Sequence, residues 1–301
     1  MKKHTTIFLL MSFTLTILKL YAEDNPRSSD FRNVKPLTIL ISIDGLRPDA
    51  LKKAQTPYID RLRKNAVCDK IARTVLPSLT LPSHTSMLFG VSSRKHGIWW
   101  NSYREEVGLI KINGIFDLVQ IKGHRSAMIA GKEKFKHFVG IRPNGMRIPS
   151  IFHLEPDSSK FPKLFYDVVI KKQVDFVFIH FRDADSAGHK YGWMSESQMN
   201  AISRVDGAIG EIINMLIENK LRDKTSILIT SDHGGTGKSH FTPISKNLNI
   251  PWILSLSEEN RLSLPSNCRD RIKTYDSAAT MARMMNFIVP RAWDWDGRSG
   301  I

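Results

Sequence analysis

Cysteine is scarce in this chain: Cys68 and Cys268 are the only two among 301 residues. With no Cys cluster, a thiolate metal centre is excluded, and any zinc site has to be built from Asp and His. The two thiols can pair in an oxidising compartment and close a long loop. The sequence leaves that pairing open, because it does not show whether their Cα atoms approach. Long apolar runs are also missing after residue 22, so no later segment is able to span a bilayer. There is no dense Lys/Arg block with interleaved aromatics, and no specific nucleic-acid binding is expected. Internal repeats, low-complexity tracts and a linker to a second domain are absent as well.

The one apolar run lies at the start. Met1-Lys2-Lys3-His4 is a short basic segment, Ile7 to Leu20 is apolar, and Ala22 offers a small residue before Glu23-Asp24. This reads as a signal peptide over residues 1–22, cleaved near Ala22, with a periplasmic or secreted product. A retained anchor is the competing reading; the run is short for it and Lys19 interrupts its end. Residues 23–35 are polar and read as a flexible leader, and residues 36–301 as a single domain large enough for a sizeable core. Loss of Lys2, Lys3 and Lys19 takes the formal charge from +15 to +12. Such a balance suits anionic partners such as phosphate esters, nucleotides or an acidic membrane, or else is a plain solvated surface.

Leu37 to Ile43 reads as a buried strand ending at Asp44, and similar runs recur at 126–130, 175–181, 226–230 and 252–256. Between them lie helical patterns, clearest over 196–219, where Met199, Ile202, Val205, Ile209, Ile212 and Ile213 form a stripe. Strands alternating with helices predict a three-layer α/β/α sandwich with a mostly parallel central sheet. Ligands of such sheets bind beyond the carboxyl ends of the strands.

Carboxylates and imidazoles collect at those ends. Asp44-Gly45 ends the first strand, although Asp-Gly alone is equally an ordinary turn. In Asp185-Ser186-Ala187-Gly188-His189, the carboxylate and imidazole share one face if the segment is helical. The plainer alternative is a helix cap followed by a surface His. In Ser231-Asp232-His233-Gly234-Gly235, the glycines let both side chains converge, and a simple turn is again the alternative. His240 completes the set by elimination: it follows the Gly-rich loop, whereas His137 and His153 lie in segments without a strand-end signature. His180 falls inside a strand and reads as a core residue; His240 itself is otherwise a loop imidazole. Three Asp and three His make two sets of metal ligands, the pattern of two-metal phosphoryl transfer. Thr80, in Leu79-Thr80-Leu81-Pro82-Ser83-His84 at a helix entry, offers a hydroxyl, or merely a helix cap.

At these residues the chain resembles the alkaline phosphatase superfamily, and within it the type I phosphodiesterase/nucleotide pyrophosphatase branch. The matching stretches are Ile43 to Asp49, Thr56 to Leu62, the Thr80 loop, Lys95-His96-Gly97-Ile98 leading to Asn101, Asp185 to His189, and Ser231 to Gly234. Tyr275 to Thr280 and Trp295 to Arg298 are similar to the closing segment of that branch. The resemblance implies an alkaline-phosphatase-like fold and two divalent ions, zinc by type. It implies one ion on Asp185, His189 and His240, and the other on Asp44, Asp232 and His233, with Thr80 bound beside it at the metal as nucleophile. Thr80 would form a phospho-threonine intermediate, and Asn101 would donate its amide to a phosphate oxygen. The implied activity is hydrolysis of phosphate diesters or nucleotide pyrophosphates, with a small anionic phosphoester as substrate. Phosphomonoester or phosphonate hydrolysis is the alternative within the superfamily. Phosphonate hydrolases of this kind use lysines for a substrate carboxylate, a role open to Lys132 and Lys134, which otherwise read as surface lysines. Two positions depart from the branch: His240 stands where better-known members draw a ligand from far downstream, and Ser83 where Asn is common. A sulfatase or a binding module on a dead scaffold fits less well, since Thr80 replaces a modifiable Cys or Ser and all six ligand positions are filled.

Overall fold

The computed structural model describes residues 36–265 and 267–301; the expected signal peptide and leader lie outside the described residues. Nine strands occur among them: β1 Leu37–Ile43, β2 Cys68–Arg73, β3 Ser126–Ala130, β4 Gly140–Ile141, β5 Arg147–Ile148, β6 Ile151–Leu154, β7 Phe176–Phe181, β8 Thr225–Thr230 and β9 Asn249–Ser255. Seven form one sheet in the order β2-β9-β8-β1-β7-β3-β6, while β4 and β5 pair separately. β1 runs parallel to both β7 and β8, and β3 runs parallel to both β7 and β6. Only β9 is reversed, antiparallel to β8 and β2.

Strand periodicity of two divides the apolar residues between two cores. Leu40, Met128, Phe178, Leu228 and Leu254 face one side, with Leu81, Met87 and Leu88 of the helix Thr80–Phe89, Phe116 of Ile115–Ile121 and Met281 of Asp276–Met284. Ile39, Ile41, Ile129, Val177, Ile179 and Ile229 face the other, against Ile59 of Pro57–Lys64 and Ile202, Val205, Ile209 and Ile212 of Glu196–Glu218. Each fully buried Ile or Leu contributes roughly 1.5–3 kcal/mol by transfer from water. The result is the three-layer α/β/α sandwich expected from the alternation of elements.

The five strands read from the sequence are all present, β9 beginning earlier than the apolar run suggested. β2 and β6 were not foreseen. They are the two edges of the sheet, where Cys68-Asp69-Lys70-Ile71-Ala72-Arg73 keeps one row exposed and Ile151–Leu154 is only partly covered. An edge strand needs no continuous apolar run. Cys68, the first residue of β2, forms a disulfide with Cys268, with Cα atoms 5.4 Å apart.

Candidate metal and phosphoryl-transfer site

Four adjacent strands, β8, β1, β7 and β3, deliver polar side chains to one edge of the sheet. Asp44 directly follows β1, Asp232 and His233 follow β8, and Lys132 follows Gly131 at the end of β3. Asp185 lies in the helix Asp183–Tyr191 that begins just after β7. One helical turn places His189 beside it, with Nε2 3.3 Å from Asp185 Oδ1. The loop after His233 folds back through Gly234 and Gly235, so the His233 and His240 rings stack with centroids 3.7 Å apart.

One donor atom from each of Asp185, His189 and His240 lies within 4.8 Å of the others, and the same holds for Asp44, Asp185 and His233. Asp232 adjoins the second group, its Oδ2 3.3 Å from His233 Nε2. The structure therefore brings together all six residues, with Asp185 between the two groups. His189 is exposed; the other five are buried.

Each imidazole is oriented by its other nitrogen. Nδ1 of His189, His233 and His240 lies 3.0, 2.8 and 2.6 Å from the carbonyls of Lys238, Gly234 and Ser78, respectively. A carbonyl only accepts, so Nδ1 carries the proton and the lone pair is left on Nε2. Asp232 is split likewise. Its Oδ1 accepts from the backbone N–H of Gly45 and His233, at 3.1 and 2.9 Å. Four buried atoms then remain without a hydrogen-bond partner in this cluster: Asp44 Oδ1, Asp185 Oδ1, Asp232 Oδ2 and His233 Nε2. Orphaned buried acceptors are costly, and this mixed oxygen and nitrogen set fits divalent ions of the zinc type.

Lys132 joins the two groups. Its ammonium is 2.6 Å from Asp44 Oδ2, 2.7 Å from Asp185 Oδ2 and 3.3 Å from Thr80 Oγ. Thr80 is buried and is the first residue of the helix Thr80–Phe89. The N–H of Leu81, one of the free donors of the first turn, goes to Asn101 Oδ1 at 2.9 Å, and Lys134 Nζ donates to the same oxygen at 2.9 Å. Both contacts fall on the oxygen, so the Asn101 amide nitrogen is left to donate elsewhere. All ten residues singled out from the sequence thus lie at one edge of the sheet.

The charges are strongly coupled. Burial pushes the Asp44 carboxyl up, but the Lys132 ammonium and His180 bring it well below the ordinary carboxylate range. Burial and Asp44 push Asp185 up, and Lys132 and His189 outweigh them. Asp232 receives less compensation: burial and Asp44 raise it to about 6. Burial lowers Lys132, yet Asp44, Asp185 and Asp232 hold it above an ordinary lysine. Burial and the Lys132 charge bring Lys134 down to about 8. Burial and His233 lower His240 to about 3, whereas the adjacent Asp185 carboxylate raises His189.

Three residues that the sequence did not single out for this site support it. His180 donates Nε2–H to Asp44 Oδ2 at 2.9 Å. His84 Nδ1 lies 2.8 Å from the Thr80 carbonyl. The Trp193 indole, donating to the Gly45 carbonyl at 2.8 Å, lies where a Cβ on Gly188 or Gly235 would collide with it. For Gly235 that Cβ would sit 2.0 Å from Trp193 Cε2, which explains a glycine there. The parity of His180 with Phe176 and Phe178 was readable, but not that its strand end abuts Asp44.

Residues 38–111 and 122–280 match the family model described as type I phosphodiesterase/nucleotide pyrophosphatase. Over 221 residues the chain is 28% identical to ectonucleotide pyrophosphatase/phosphodiesterase family member 1 of Homo sapiens, covering 66% of this chain and 23% of that protein. Over 239 residues it is 25% identical to a bis(5'-adenosyl)-triphosphatase of Homo sapiens, covering 70% of this chain and 50% of that protein. The chain spans half or less of the length of these human relatives. The solved structure of human ectonucleotide pyrophosphatase/phosphodiesterase 5 shares the fold with a TM-score of 0.66 at 16% identity, over 85% of this chain and 96% of that one.

Proposed function

Because this chain belongs to the type I phosphodiesterase/nucleotide pyrophosphatase family, we propose that it hydrolyses phosphate diesters or nucleotide pyrophosphates outside the cytoplasm, through a phosphorylated Thr80. One observation carries the reading: four unpartnered ligand atoms crowd the buried edge where Lys132 reaches the Thr80 hydroxyl. Asp44, Asp232 and His233 would hold one divalent ion, and Asp185, His189 and His240 the other. Bound there, zinc-type ions would lower the pKa of the Thr80 hydroxyl and offset charge on the transferred phosphoryl group.

The remaining work falls to the chain itself. Thr80 Oγ attacks phosphorus, forming one P–O bond as the bond to the leaving group breaks. Water then cleaves the phospho-threonine and restores the hydroxyl. Lys132, in contact with Thr80 Oγ, favours the alkoxide. The free Asn101 amide nitrogen donates to a non-bridging oxygen, its direction fixed by Leu81 and Lys134 on the other end. The Cys68–Cys268 disulfide supports an oxidising compartment, either periplasmic or secreted.

The test compares a bis-aryl phosphate diester with an aryl phosphate monoester, with zinc and with chelator. Diester turnover that requires zinc is expected. Turnover of neither substrate with zinc present would refute the enzyme reading, and a large excess of monoester turnover would move it to a phosphatase. A second reading rests on Lys132, whose ammonium reaches Thr80 Oγ, and Lys134, whose ammonium reaches Asn101 Oδ1. That pair would suit a phosphonate carrying a carboxylate, and faster turnover of such a compound than of the diester would favour it.

A further inference from the structure

Beneath the ligand carboxylates lies a second tier of buried polar side chains. On β7, residues 176, 178 and 180 face the same core, so the row reads Phe176, Phe178, His180. On β1 the row runs Leu40, Ser42, and Ser42 is the register partner of His180. The β7 row turns from apolar to polar at the strand end, and Ser42 follows Leu40 at the same level on β1. His84, from the helix Thr80–Phe89, closes the tier with its ring 5.0 Å from that of His180 and 4.8 Å from Phe135.

A phenylalanine or leucine would continue either row without burying ring nitrogens, which are costly unless bonded. Both nitrogens of His180 are used. The Gly131 N–H is shared between the His180 carbonyl at 3.1 Å and Nδ1 at 3.3 Å. An ionised carboxylate only accepts, so Nε2 bears the hydrogen that goes to Asp44 Oδ2 at 2.9 Å. Lys132, the residue after Gly131, takes the same oxygen at 2.6 Å. Oδ2 is thereby committed twice, while Oδ1 has no hydrogen-bond partner.

We propose that His180 is a positioning residue acting through Asp44, holding Oδ2 so that Oδ1 stays directed at a divalent ion. The proposal rests on the two-ion reading above.

The test is zinc titration of the purified, demetallated full chain against a chromophoric chelator. His180→Leu is expected to weaken one zinc equivalent by about 10–100-fold, the usual cost of losing such a partner. His180→Gln, whose amide reaches toward the same oxygen, is expected to recover most of that loss, with far-UV circular dichroism unchanged in both. If the Leu variant does not fold, His180→Phe, which continues the aromatic row, takes its place. Wild-type protein that binds no zinc overturns the two-ion reading and this assignment with it. Wild-type binding left intact by Leu or Phe overturns the assignment alone. Equal loss in the Gln and Leu variants, both folded, overturns it too, since shape rather than the hydrogen bond would then be at work.

Discussion

Asn101 shows how a single side chain is prepared by its neighbours. Leu81 and Lys134 both donate to its oxygen, which fixes the amide plane before any substrate arrives. Asn101→Ala is expected to lower kcat for a diester by about 100–1000-fold, the usual cost of removing one oriented donor. Steady-state kinetics check this; an unchanged kcat would remove Asn101 from the chemistry. Thr80→Ala is expected to reduce turnover to background while bound zinc, measured by elemental analysis, stays at the wild-type level, because Thr80 is not among the Asp and His donors. Individual site residues were unevenly legible. Asp185 and His189 stand four apart in one helix, a relation sequence spacing expresses directly. His240 reaches the same group only because the loop after His233 folds back, and no local pattern encodes that return. His180 was illegible as a support, since a hydrogen bond between strands far apart in the chain leaves no trace in spacing. His84, by contrast, stands four residues after Thr80 in one helix, a local relation that spacing does express.

Among the elements, the Gly234-Gly235 turn depends most on close packing. Three segments that carry candidate ligands touch one indole: Gly45 after Asp44, Gly188 between Asp185 and His189, and Gly235 after His233 all lie against Trp193. A methyl on Gly235 has no room, and the indole is anchored at the Gly45 carbonyl. Gly235→Ala is therefore expected to cost about 1–3 kcal/mol by overpacking, and to weaken zinc binding by displacing His233. Urea unfolding and chelator competition measure the two effects; normal zinc affinity would count against the indole as a shared support. The central strands were legible because burial on both faces demands continuous apolar runs. β2 and β6 were not, because edges relax that demand.

At the scale of the whole molecule, the Cys68–Cys268 bond fastens an edge strand to a segment 200 residues away. Cross-linking so long a loop restricts the unfolded chain, and removing such a bond costs about 2–5 kcal/mol. Cys68→Ala with Cys268→Ala is expected to lower the urea midpoint accordingly, with diester turnover largely kept, since neither residue lies at the site. An unchanged midpoint would show that the bond does not stabilise the fold. The three-layer arrangement was legible from alternating elements, whereas the pairing of these two cysteines depended on where β2 docks.

The parallel sheet has a consequence for thermodynamics. Candidate ligands run from Asp44 to His240 and meet only when β1, β7 and β8 lie side by side. No fragment lacking one of those strands holds the whole set, so ion binding is linked to global folding rather than to a local loop. An ion bound by the native chain alone, at a hundred times its Kd, stabilises it by about 2.7 kcal/mol. Calorimetry with graded zinc is expected to show a single transition moving steadily upward in Tm. A separate low-temperature transition that alone responds to zinc would mean that the site assembles independently of the sheet.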